Sequence, residues 1–149
     1  MGIEKWTLKE LSEDTSFIKS AKVTLRNRLG TLLDKINIYL SNPEEENLHQ
    51  VRIAIRRVRY SLEVFSNCFP FKDLDKFYRR VENLQDKTGE VRDLDVIKEY
   101  VSQKLSNQLV NTFAKMIQTD KEKIEVDIKL ELMKFYHSKL LKKILKTVN

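Results

Sequence analysis

Apolar residues recur along this chain at the three- and four-residue spacing that places them on one face of a helix. A first helix is predicted from Thr15 or Ser16 to about Leu40, with Phe17, Ile18, Ala21, Leu25, Leu29, Leu32, Ile36 and Leu40 as its apolar face. Gly30 falls inside it at a tolerated cost. A second is predicted from Pro43 to Phe65, with Leu48, Val51, Ala54, Ile55, Val58, Leu62 and Phe65 turned inward. Leu74, Phe77, Tyr78, Val81 and Leu84 mark a third, running from Asp73 to about Lys87 and ended or sharply bent by Gly89. A fourth is expected from Leu94 through Leu105, and with no Gly or Pro from Leu94 to Asn149 helices continue, with a break near Thr119 and Asp120. The pattern predicts an all-α protein, an antiparallel bundle of four to five long helices, in one domain spanning 1–149. Within it residues 1–13, around Trp6, Leu8 and Leu11, read as an N-terminal extension and 14–149 as the bundle.

The connections sharpen this picture. Pro43 suits the first helical position, where its missing N–H has no partner to lose, and Asn42 just before it is a capping residue. Glu44 to Glu46 then sit where the helix dipole favours carboxylates, a structural reading preferred over a metal cluster. So short a link between helices one and two forces an antiparallel hairpin, with His49 to Arg59 beside roughly Thr24 to Asp34. The final helix is inconsistent with one straight rod. Ile124, Ile128, Leu132 and Phe135 share a face, but Leu140, Leu141, Ile144 and Val148 lie nearly opposite. Either the helix bends near Met133 to His137, or its ends pack against different partners, a second copy of the chain being the natural one.

Charge adds a second pattern to helix two. His49, Arg52, Arg56 and Arg59 gather within an arc of about 80°, with Arg57 outside it, and no carboxylate lies between Asn47 and Leu62. Guanidinium groups spread along about 10 Å of helix suit a ligand with repeated anionic groups, phosphate above all. Against this stands the ordinary fate of a surface arginine, which is solvation or a salt bridge. One cationic edge of helix one must lie near this stripe, and Lys22 with Arg26 is preferred over Arg28 with Lys35. Arg92, just ahead of the predicted fourth helix, is placed to hold a phosphate together with that helix's N-terminal amides. The competing role is a charge network in which Arg92, Asp93 and Asp95 hold the arginines of helix two.

The run L-H-Q-V-R-I-A-I-R-R-V-R, carrying His49, Arg52, Arg56, Arg57 and Arg59 after a short acidic segment, resembles the opening motif of CHAD domains. A second motif of that family resembles Thr88-Gly89-Glu90-Val91-Arg92-Asp93-Leu94-Asp95-Val96, with Thr where the family has Leu. The resemblance implies an all-helical domain that binds inorganic polyphosphate through a basic surface. CHAD domains usually hold two related helical halves around the ligand path, and this chain has room for one. It also mixes them, since Arg92 to Val96 is similar to the first repeat while Arg59 to Glu63 and Leu84 to Asp86 are similar to the second. A homodimer in which two copies stand in for two halves is therefore expected.

Composition narrows the function. A net charge of +6 and a pI near 9.3 favour anionic partners, and after Glu131 only lysines carry charge, from Lys134 to Lys146. No apolar run approaches the length of a membrane span, and the N-terminus lacks a signal sequence, so a cytoplasmic location is expected. The single Cys68 permits no internal disulfide and reads as a small core residue. There is no glycine-rich phosphate loop and no metal motif, so neither catalytic residues, metal nor cofactor is assigned. His49 reads as a hydrogen-bond donor to phosphate and His137 as a packing residue. The expected function is non-catalytic binding of polyphosphate by His49, Arg52, Arg56, Arg57, Arg59 and Arg92, with Lys22 and Arg26 in support. Nucleic-acid binding is the main rival, and a metal-assisted phosphohydrolase, or an accessory to one, comes third.

Overall fold

The structure, a computed structural model, describes residues 15–69 and 72–149. The expected segment around Trp6, Leu8 and Leu11 lies outside the described residues, as do Pro70 and Phe71. Among those described, all regular structure is helical: α1 (Thr15–Ser41), α2 (Glu45–Phe65), a 3₁₀ turn (Ser66–Cys68), α3 (Leu74–Lys104), α4 (Asn107–Tyr136) and α5 (Lys139–Val148).

Helix α1 buries Ala21, Leu25, Leu29, Leu32 and Ile36, as its apolar spacing requires, and adds Tyr39 rather than the half-buried Leu40. Helix α2 starts two residues later than predicted. Pro43 stays outside it, Glu44 takes the capping position without a side-chain cap bond, and Asn42 serves the turn through its carbonyl. That carbonyl accepts from the Glu44 amide at 2.8 Å and from Asn47 Nδ2 at 2.8 Å.

The largest departure is α3. It runs straight through Gly89, so the predicted third and fourth helices are one. A glycine costs a helix only about 1 kcal/mol, and Leu84, Thr88 and Val91 bury against the core across that point. Arg92 consequently lies within a helix rather than beside an N-terminus. The true break comes at Leu105 and Ser106, after which α4 continues unbroken past Thr119 and Asp120.

Ion pairs record how α3 and α4 align. Lys87 meets Asp127 at 2.6 Å and Lys121 meets Asp95 at 2.8 Å, an antiparallel register. The α1–α2 hairpin packs across this pair, sealing a core in which Phe77 and Phe135 stack with centroids 5.8 Å apart. At His137 and Ser138 the chain turns, and the Ser138 hydroxyl accepts the Leu141 amide to start α5. Leu141, Ile144 and Val148 are then buried in the same core. The two opposed apolar faces of the terminal segment are thus reconciled by a bend inside one molecule, and require no second copy.

Candidate anion-binding site

Arginine 59 belongs to the framework rather than to a free cationic row. Its guanidinium contacts Glu63 at 3.2 Å and Glu82 at 3.3 Å, and donates to Gln85 Oε1 and to the Tyr78 hydroxyl. The hydrogen bond with Tyr78 and the charges of Glu63 and Glu82 raise its proton affinity further, against the effect of burial. Glu63 is itself buried and accepts from Tyr78, so these groups satisfy one another away from water. Helical rotation puts Arg59 on the arc expected to face the ligand, but its guanidinium is engaged by Glu63 one turn along α2 and by Glu82, Gln85 and Tyr78 of α3, and the α3 partners are ones that local spacing does not reveal.

This clamp also sets the register of α2 against α3. The helices run antiparallel, and from Arg59 back to His49 is the same number of residues as from Glu82 forward to Arg92. His49 and Arg52 therefore come opposite Arg92. Together they line a cavity of about 500 Å³ where the C-terminal end of α1, the start of α2 and the middles of α3 and α4 converge. Tyr39, Leu48, Thr88 and Val91 form its buried floor; His49, Arg92 and Glu44 to Glu46 stand at its exposed rim. Lys121 and Asp95 face it as a pair, with Glu125 beside them. Burial by itself would lower the Lys121 proton affinity, but Asp95, Glu125 and Glu45 more than offset this, and the ammonium titrates above an ordinary lysine. Asp95 is thus neutralised by Lys121 of α4 and not by the arginines of α2, contrary to the competing reading of a network in which Arg92, Asp93 and Asp95 hold those arginines.

Arg52, Arg56, Arg57 and Arg92 make no ion pair with a carboxylate among the described residues. Arg56 is exposed and continues the edge begun by His49 and Arg52. Arg57 turns to the other side of α2, where its carbonyl accepts from Arg28 at 3.0 Å and its side chain lines a shallow recess with Arg28, Thr31 and Ala54. Arg28 donates also to Ser61 Oγ, so the edge of α1 laid against α2 is that of Arg28. Lys22 and Arg26 fall on the far edge, which they share with Asn37, whose amide donates to the Tyr136 hydroxyl of α4. The preference for Lys22 and Arg26 as neighbours of the stripe is corrected accordingly.

Three cavity residues, Tyr39, Lys121 and Glu125, escaped the sequence reading. Lys121 carries no motif and becomes visible only once α4 is laid against α3. Tyr39 was legible as a core position, three residues beyond Ile36, yet nothing local places its hydroxyl in a cavity. Elsewhere, Cys68 is buried, and burial pushes its thiol up. His137 packs edge-on against Tyr136, the ring centroids 5.1 Å apart. No group of three or more His, Cys, Asp or Glu among the described residues is arranged to hold a metal ion, and no helix among them is long and apolar enough to cross a membrane.

Comparison with curated proteins and with solved structures returned no match. The model of one family does match, over residues 7–147, which takes in α1 to α4, α5 but for its last residue, and both sequence motifs. The chain belongs to the CHAD domain family.

Proposed function

We propose that this chain binds inorganic polyphosphate, without turning it over, at the cationic edge made by His49, Arg52, Arg56 and Arg92. CHAD domains are associated with polyphosphate in general. The observation that carries the reading here is the meeting of Arg92 with His49 and Arg52 at one cavity, although they lie far apart in the chain. Arg52, Arg56 and Arg92 have no carboxylate partner among the described residues, so their N–H donors are available to phosphoryl oxygens. Nucleic acid offers the same phosphates, but discrimination in its favour needs bases to stack, and Tyr60 is the aromatic this edge supplies. Competition at fixed salt between long-chain polyphosphate and a single-stranded oligonucleotide tests the reading. Polyphosphate is expected to displace the labelled oligonucleotide at much lower phosphate concentration; equal displacement would remove the preference.

We also propose that the chain is a homodimer. Ile97, Leu109, Phe113 and Met116 are exposed, at 47%, 53%, 42% and 60%, near the tip of the α3–α4 hairpin. Helical rotation puts them on the side of the Lys87–Asp127 pair, away from the Asp95–Lys121 pair and the cavity. A large apolar face of this kind marks an interaction surface, and a twofold contact uses the same patch on both copies. Light scattering at micromolar concentration is expected to give the mass of a dimer, and Phe113→Glu the mass of a monomer. A monomer before substitution would end this proposal while leaving polyphosphate binding intact.

A further inference from the structure

We propose that the cavity takes the terminal phosphate of a linear polyphosphate, with the Tyr39 hydroxyl as the donor at its floor. The inference rests on the polyphosphate reading and extends it to which part of the ligand is recognised. Tyr39 is 1% exposed, and its Oη is a buried side-chain oxygen with no hydrogen-bond partner among the described residues. Leaving such a hydroxyl unpaired costs stability, whereas phenylalanine would fill the same space without that cost. Burial, then the charge of Glu125, pushes its pKa up to about 12, so the group remains an O–H donor and its complement is an acceptor oxygen. An ionised phosphate offers only acceptors, and His49, Arg52 and Arg92 supply the positive charge around the same space.

The shape of the site selects an end. Tyr39, Thr88 and Val91 are buried at the inner side of the cavity, where the end of a chain can seat against them. Glu44 to Glu46 at the rim repel a polyanion laid across the mouth, while Lys121 pairs with Asp95 and opposes the charge of Glu125, the carboxylate nearest in effect to the Tyr39 hydroxyl. Entry along the axis remains, with the rest of the polymer leaving over Arg52 and the exposed Arg56. A terminal phosphate also presents one more free oxygen and more negative charge than an internal one, which suits a pocket with several donors.

Calorimetric titration of the full chain and of Tyr39→Phe with linear tripolyphosphate, cyclic hexametaphosphate and long-chain polyphosphate tests this. The cyclic compound carries more charge but has no end. Linear tripolyphosphate is expected to bind the unaltered chain more tightly than the ring does. Tyr39→Phe is expected to weaken the linear ligands about tenfold, the loss of one hydrogen bond to a charged acceptor, and to leave the ring unchanged. The thermal midpoint of Tyr39→Phe without ligand should not fall, because an unpaired polar atom has been removed from a site of unchanged shape. A ring that binds as tightly as the linear compound, or a substitution that weakens neither linear ligand, overturns the proposal while polyphosphate binding stands. If no polyphosphate binds the unaltered chain, both readings fall.

Discussion

Replacing Arg52 and Arg92 together by Glu is expected to lower polyphosphate affinity by at least about 100-fold. Each charge-assisted contact is worth roughly 1.5–3 kcal/mol, and a factor of ten in affinity corresponds to about 1.4 kcal/mol. The two residues lie on different helices and face one cavity, so the substitutions remove contacts from both of its walls and add repulsion. Neither side chain is buried, and glutamate is as good a helix former as arginine, so the helical circular dichroism should be retained. Arg59→Gln is the informative control. Its guanidinium is engaged by Glu63 and Glu82, so the substitution should lower the thermal midpoint but change affinity by less than about threefold. A folded Arg59→Gln protein that binds as poorly as the double reversal would move the site along α2.

Ending the chain after Ser138 should destabilise it by about 6 kcal/mol, taking roughly 2 kcal/mol for each of the buried side chains of Leu141, Ile144 and Val148. That is a large part of the 5–15 kcal/mol by which a domain is usually stable. The thermal midpoint is expected to fall by about 15 °C or more, or the cooperative transition to disappear. If α5 served instead to hold two copies together, truncation would reduce the mass in solution and leave the melting of each copy nearly unchanged. Paired light scattering and thermal melts distinguish the two results.

Much of this architecture was legible because it is local. The apolar stripes of α1 and α2 repeat at the helical period, and the short link after Ser41 leaves them no arrangement but a hairpin. The placement of α3 was not legible. Gly89 looks like a stop, yet its local penalty is small beside the burial of Leu84, Thr88 and Val91 on either side, which depends on what packs there. The final segment gave an ambiguous signal for the same reason: two opposed apolar faces state that a bend or a partner is needed, and only the contacts of α5 decide between them.

The chain by itself determined that it is helical, that α2 bears both an apolar and a cationic face, and that its net charge favours anionic partners, since these follow from spacing and charge within single elements. Tertiary structure decided which cations are available. Arg52 and Arg59 are equivalent by rotation about α2, but the carboxylate of Glu82 reaches only Arg59. It also brought Tyr39, Arg92 and Lys121 to one cavity and left the buried Tyr39 hydroxyl without a hydrogen-bond partner among the described residues. Coulombic and hydrogen-bond energies depend on distances across helices, and a sequence specifies those only through the way its core packs.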